Sequence, residues 1–277
     1  IVVCNDNPVR LWRSDDGGAH WRAADLPDHA VTSLLNGVAW LGDTLFVARY
    51  AIADPSSAPP ADQLARSLNG GPLIWLGDLA QAAGFPVTQI AAIGASATTV
   101  YLQVINPTTQ AALNLISTDG STWSPTFFSV AGTPVRNVQV SADGTALLGL
   151  TGSRIAYSWD DGRAWHVSPP VPAGVVLPTT VAFVAPDGTL VAQFFRTDQT
   201  GLKWDISLAR PGFKGWVPVA ASSTNILART LWWDAAGHPR LLAGTDGNGQ
   251  LAIYDLARLA ANSGNECLLH LCTRMIP

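Results

Sequence analysis

The chain has 277 residues, of which 48 % are hydrophobic and 13 % charged, and its formal net charge is −4. That length admits one large all-β domain or two small ones, and the charged share is about half that of an ordinary soluble domain. A negative balance without a basic stripe argues against a nucleic-acid partner, and no run of about 18 apolar residues free of charge marks a membrane-spanning helix.

The charged set is lopsided. Lys203 and Lys214 are the lysines, and Glu266 is the glutamate. Both residue types favour helices, and their scarcity beside many Val, Thr, Trp and Gly points to strands joined by tight turns.

From the N-terminus, residues 1–14 (IVVCNDNPVRLWRS) form an apolar run, a polar turn and a second run, which predicts a hairpin. Residues 14–21 (SDDGGAHW) follow as an acidic, glycine-bearing turn ending in Trp21. A strand-like run over 31–41 leads to a second hairpin. Its arms, TLFVARY from Thr44 and QLARS ending at Ser67, are separated by a Pro-rich stretch over 50–63. Residues 67–75 (SLNGGPLIW) repeat the turn with Asn69 in the acid's place. The pattern returns as a strand over 87–93, a hairpin over 100–117 and the turn 117–123 (STDGSTW). It returns again as 135–140, 146–158 and 158–165 (SWDDGRAW). A fifth copy comprises 179–184, 189–207 and the degenerate 207–216 (SLARPGFKGW). A sixth comprises 226–233 and 240–255, with no acidic turn. Asp-Gly pairs at 143–144 and 187–188 mark tight turns between strands.

The closing tryptophans Trp21, Trp75, Trp123, Trp165 and Trp216 are 54, 48, 42 and 51 residues apart. This is about the period of a four-stranded propeller blade. The last segment is atypical. Residues 250–262 (QLAIYDLARLAAN) are a helix candidate on propensity. The tail 266–275 is left to complete the last repeat, the first, or both. Cys4, Cys267 and Cys272 lie at the two chain ends. Cys4 bridging one of the other two, Cys267 pairing with Cys272, and three free thiols are all open.

The repeated turns resemble the Asp-boxes of BNR-repeat, sialidase-type propellers. The residues carrying the likeness are Ser14, Asp16, Gly18 and Trp21; Ser117, Asp119, Gly120 and Trp123; and Ser158, Asp160, Gly162 and Trp165. The resemblance implies an all-β, six-bladed β-propeller of four-stranded antiparallel blades over residues 1–277. Residues 256–277 form its atypical last blade or tail, and pairing of N- and C-terminal strands closes the ring. Within each box the acid is expected to accept hydrogen bonds from its own turn, a structural role; each box offers too few carboxylates for calcium.

The family's catalytic set is not matched. No R-I-P motif occurs, and the single Glu266 gives the four tyrosines Tyr50, Tyr101, Tyr157 and Tyr254 little prospect of a Tyr–Glu pair. The histidines are scattered, and no phosphate-binding Gly loop precedes a helix. In the resembling family the working face lies opposite the boxes. The candidates there are Arg49, Tyr50, Arg196, Asp198, Arg229, Asp246 and Asn248, with ordinary loop solvation as the competing reading. The expectation is a non-catalytic binding or assembly module, extracellular or at a cell surface, with a protein or glycan partner and no cofactor or metal. A sialidase-like glycoside hydrolase and a structural subunit of a surface assembly are the alternatives.

Overall fold

The computed structural model of the chain describes residues 2–4, 10–13, 19–24, 33–51, 63–77, 79–141, 144–175, 181–185, 187–198, 201–212, 214–222, 226–233, 239–245, 251–255 and 274–275. Nearly all of the regular structure is antiparallel sheet. The first sheet joins β1 (Val2–Cys4), β2 (Arg10–Arg13) and β3 (Arg22–Ala24) in chain order. The second joins β4 (Ser33–Leu41), β5 (Thr44–Ala51), β6 (Leu64–Leu68) and β7 (Ile74–Trp75). A short helix, α1 (Leu79–Ala83), precedes the third sheet: β8 (Ile90–Ala95), β9 (Val100–Ile105), β10 (Ala112–Ser117) and β11 (Ser124–Thr126). After a small hairpin, β12 (Ser129–Val130) with β13 (Thr133–Pro134), comes the fourth: β14 (Arg136–Val140), β15 (Leu147–Thr151), β16 (Arg154–Ser158) and β17 (His166–Pro170). The fifth contains β18 (Val181–Val184), β19 (Leu190–Asp198), β20 (Gly201–Ala209) and β21 (Val217–Ser222). The sixth contains β22 (Ile226–Trp233), β23 (Pro239–Thr245), β24 (Leu251–Asp255) and β25 (Arg274–Met275). Each sheet is a meander in which every strand pairs with the next in sequence.

The chain divides into two compact units. One comprises Ile1–Phe128 with Arg136–Val140, the other Ser129–Val135 with Ser141–Pro277. In the first unit the second strands are buried on both faces. Leu45, Phe46, Val47 and Ala48 are consecutive and all inaccessible, and Val100, Tyr101, Leu102 and Val104, with Gln103 between them, are buried too. Successive strand residues point to opposite faces, so such a run needs cover on both sides. One face of that cover is a core in which Phe46, Ala48 and Leu64 of the second sheet meet Ile90, Val100, Leu102 and Leu115 of the third, with Leu79 and Val87 closing the edge. The second unit repeats the arrangement. Leu148, Ile155 and Tyr157 of the fourth sheet meet Val184, Leu190, Ala192 and Phe194 of the fifth.

The first strands crowd together. A Cβ on Gly37 of β4 would lie 2.7 Å from Ile93 Cγ2 of β8, and one on Gly94 of β8 would lie 2.7 Å from Val140 of β14. Glycine at these points lets successive first strands approach closer than any side chain permits. The pairing of β4 with β5 slips between Leu35 and Gly37, and that of β8 with β9 between Ile90 and Ala92. β22 slips likewise between Ala228 and Thr230, so Arg229 occupies the extra position of a bulge.

Three features differ from or add to the sequence reading. Leu251–Asp255 is the second arm of the hairpin read over 240–255 and not the start of the alternative helix, because β23 and β25 hydrogen-bond it on both sides and pairing overrides the propensity of Leu and Ala. The tail strand β25 supplies the fourth strand of the sixth sheet. Helix α1 is new. Its helix formers LAQAA end at Gly84, whose N–H returns to Ala80 O at 2.8 Å, and Leu79 seats it in the core.

Phe46 is wholly buried, whereas Phe127 is 83 % exposed. Phe46→Ala is expected to lower unfolding free energy by about 3–5 kcal/mol. Phe127→Ala should stay within about 0.5 kcal/mol of the parent. Equilibrium urea denaturation measures both; equal effects would mean that the inter-sheet core does not carry stability.

Candidate functional site

Two of the Asp-box-like turns are described in full. In the third sheet, Ser117 Oγ donates to Asp119 Oδ1 at 3.0 Å and accepts Gly120 N–H at 2.8 Å. Asp119 Oδ1 also accepts the backbone N–H groups of Ser121 and Thr122, each at 2.7 Å. In the fourth sheet, Ser158 Oγ donates to Asp160 Oδ1 at 2.8 Å and accepts Gly162 N–H at 2.9 Å, while Asp160 Oδ1 accepts Ala164 N–H at 2.8 Å. Trp165 Nε1 closes this turn on Gly162 O at 3.0 Å. The N–H of Thr122, then that of Ser121 and the Ser117 hydroxyl, hold the Asp119 carboxyl far below the usual carboxylate range; Ala164 and Ser158 lower Asp160 in the same way.

The Asp119 turn is also locked to the preceding sheet. Gly120 is buried at φ +69°, and a Cβ there would strike the Phe46 ring. Trp123 meets that ring edge-on at 6.3 Å between centroids. Arg66 of β6 donates to Gly120 O at 3.2 Å and to Ser121 Oγ.

The degenerate copies keep the serine and the closing tryptophan and lose the acid. Ser67 Oγ donates to Gly71 O at 2.6 Å, and Asn69 adopts φ +50°. Ser207 is fully buried, and its Oγ has no hydrogen-bond partner, since no acid follows it. Trp216 instead packs edge-on against Phe194 at 4.9 Å and donates to Pro169 O at 3.2 Å. Ser14, Asp16 and Gly18 of the first copy lie outside the described residues, and its Trp21 is exposed.

The loop-face candidates are only partly described. Arg49 is 3 % exposed, with its guanidinium 4.0 Å from the Trp75 ring centroid and its backbone N–H on Gln63 O at 2.9 Å. It braces the root of the Pro-rich connection. Tyr50 pairs with Leu34 in the ladder, Arg196 with Lys203 and Asp198 with Gly201; their side chains, like that of Arg229, lie outside what is described. Asp246, Asn248, Cys267 and Cys272 also lie outside the described residues. Cys4 is placed only as a strand residue opposite Arg10.

Sequence reasoning missed a cleft in the second unit. It has a volume of about 310 Å³ and lies between the outer strands of the fourth sheet and the start of β19 and end of β20. Arg154, Arg210 and Lys214 line it beside Tyr157, Val167, Ser168, Pro169, Pro170 and Pro211. Arg154 is fixed by donating to Ser168 O at 2.7 Å. Tyr157 stacks on His166 at 5.3 Å and meets Trp159 edge-on at 5.0 Å. Burial pushes its phenol pKa upward, so the hydroxyl stays protonated at neutral pH. The available signal was the fifth box itself, which replaces its acid and gains Arg210 and Lys214.

No family model matches the chain, and no curated protein matches it in sequence. Solved structures do match in fold. The structure of YCF48 bound to D1 peptide is 16 % identical, with a TM-score of 0.54 over 90 % of this chain and 72 % of that one. Hydrazine synthase of Kuenenia stuttgartiensis is 13 % identical, with a TM-score of 0.53 over 93 % and 76 %. A nidogen/laminin complex is 12 % identical, with a TM-score of 0.52 over 91 % and 88 %. These neighbours are β-propeller proteins, and the likeness together with the meander sheets makes this chain a β-propeller.

Asp119→Asn keeps an acceptor oxygen and removes the charge. The folded-state carboxyl titrates below its ordinary value of 3.8, so as pH falls the unfolded chain takes up the proton first. The turn's contribution is complete above that value and is lost as pH falls through the lowered one. The variant should therefore have a lower urea midpoint at neutral pH, with the gap closing in acid. A gap unchanged from about pH 7 to about pH 2 would show that the charge does nothing for the fold.

Proposed function

We propose that this protein is a non-catalytic binding or assembly module, a single six-bladed Asp-box propeller spanning residues 1–277 and acting outside the cell or at its surface. The terminal strands close its ring. The observation that carries the reading is the makeup of the described cleft. Its described polar side chains are cations and hydroxyls, a set suited to holding a ligand, and no carboxylate, histidine or thiol is among the described lining. A glycoside hydrolase works through a carboxylate pair, one of which must be protonated near neutral pH. Asp119 and Asp160 are the reverse, held ionised by their own turns.

The fold neighbours support a protein partner over a glycan. One was solved with a bound peptide and another in complex with laminin. The loop face opposite the boxes, with Tyr50, Arg196, Asp198, Arg229, Asp246 and Asn248 and braced by Arg49, is the second surface of this reading. The low Lys and Glu content supports placement outside the cytoplasm.

The test pairs a peptide-display selection and a glycan array on the immobilised chain with turnover of aryl glycosides, including a sialoside. A peptide consensus that binds saturably, with no hydrolysis above buffer, is the expected result. Glycoside turnover that follows the purified chain would replace this reading with the hydrolase.

A further inference from the structure

We propose that the cleft between the fourth and fifth sheets recognises acidic segments of a protein partner, with Arg154, Arg210 and Lys214 engaging Asp or Glu carboxylates. The inference rests on the protein-binding reading above and names the partner's chemistry.

The charge is concentrated. The chain carries a net −4, yet three of its 16 cationic side chains line one cleft whose described lining includes no acid. Arg210 and Lys214 are exposed and make no ion pair among the described residues. Arg154 is preoriented by its bond to Ser168 O, so less freedom is lost when it takes a ligand. A fork-shaped guanidinium beside a second cation matches a carboxylate.

The hydrogen-bonding character selects among anions and polymers. Among the described lining is no Asp, Glu, Asn or Gln, so its side-chain acceptors are the Tyr157 and Ser168 hydroxyls, and Ser168 Oγ is already taken, accepting Ile155 N–H at 3.0 Å and donating to Pro169 O at 2.6 Å. Sugar hydroxyls donate as well as accept, so a glycan would meet few side-chain acceptors here, whereas a carboxylate only accepts. Phosphate sites lean on clustered backbone N–H groups, whereas Pro169, Pro170 and Pro211 have none to give. The two prolines of β17 also blunt that edge against strand addition, so a peptide is held by its side chains. Val167, 40 % exposed, with the three prolines supplies apolar walls for the aliphatic part of such side chains. A volume of about 310 Å³ suits a few residues of an extended segment.

The experiment is fluorescence polarisation on the full chain with a labelled octapeptide of Asp and Glu, acetylated and amidated so that only side-chain carboxylates are charged. Its Asn/Gln counterpart, a phosphoserine peptide and a sulfated oligosaccharide serve as comparators. Saturable binding of the acidic peptide is expected, weakened at least about tenfold in the Asn/Gln counterpart and in the double variant Arg210→Glu/Lys214→Glu. Both positions are exposed, so an unchanged melting temperature accompanies that loss. Arg163→Glu, a charge reversal on the Asp160 turn outside the cleft, should leave affinity unchanged. Equal binding by the double variant, an equal loss from Arg163→Glu, or preference for the phosphopeptide or oligosaccharide overturns the proposal. If display-selected peptides bind but ignore Arg210 and Lys214, this site fails and the protein-binding reading stands. If no peptide binds at all, both fail.

Discussion

The second strand of each well-described sheet is apolar on both of its faces, and the rest of the structure depends on that constraint. Leu45 to Ala48 and Leu190 to Phe194 leave no face for water, apart from the buried amide of Gln193. A lone four-stranded sheet of this kind exposes one apolar surface whichever way it turns. The remedy is another sheet on each side, which is why the chain repeats one unit rather than building a sandwich. Burial falls off toward the fourth strand, where Ile74 and Ser124 are exposed, so cover is needed most near the first two strands. The glycines at 37 and 94 answer the same demand, since first strands of successive sheets must come close for their second strands to be covered.

The Asp-box-like turn is a local device tied into that packing. Its serine is buried in all four described copies, whereas its acid sits in solvent and works by ordering backbone N–H groups. Where the acid is lost, the buried serine remains, and at Ser207 it is left without a partner. An unmet buried hydroxyl costs about 1–3 kcal/mol. The Trp216 bond to Pro169 O and its contact with Phe194 hold that turn by another route. Losing the acid also removes the negative charge that would otherwise sit beside Arg210 and Lys214. Ala209 stands in the acid's place and itself lines the cleft, so the turn that carries Arg210 and Lys214 brings no carboxylate of its own.

The turns were legible because their information is local. A serine, an acid, a glycine and a tryptophan within eight residues form their own hydrogen bonds, and the spacing of the tryptophans carries the repeat. The hairpins between them were legible from alternation of apolar runs and polar turns. The stretch 251–255 read two ways, as an arm of the 240–255 hairpin and as the start of a helix, because Leu, Ala and Ile serve a helix as readily as a strand until β23 and β25 pair with it. The cleft was invisible for the same reason at longer range. Its walls come from residues near 154, 167–170, 188 and 210–214, drawn from two sheets, and nothing in any one segment announces the others. Arg49 shows what proximity in sequence leaves out: its place near the mouth of a loop is legible, but the guanidinium's position 4.0 Å from the Trp75 ring centroid is not.

A cationic cleft on an acidic protein has kinetic consequences as well as chemical ones. The overall charge of −4 repels an acidic partner at long range, while the cleft attracts it at short range. At physiological ionic strength, charges more than about 8 Å apart are largely screened, so the repulsion fades while contacts inside the cleft persist. Association then gains little from steering, and discrimination falls to the contact itself. That contact is braced on one side, where Arg154 is bound to Ser168 O and Tyr157 packs with Trp159 and His166, and open on the other, where Arg210 and Lys214 are exposed at a turn. A braced guanidinium beside two exposed cations favours a segment with several carboxylates over one with a single acid, because each cation can take a separate charge.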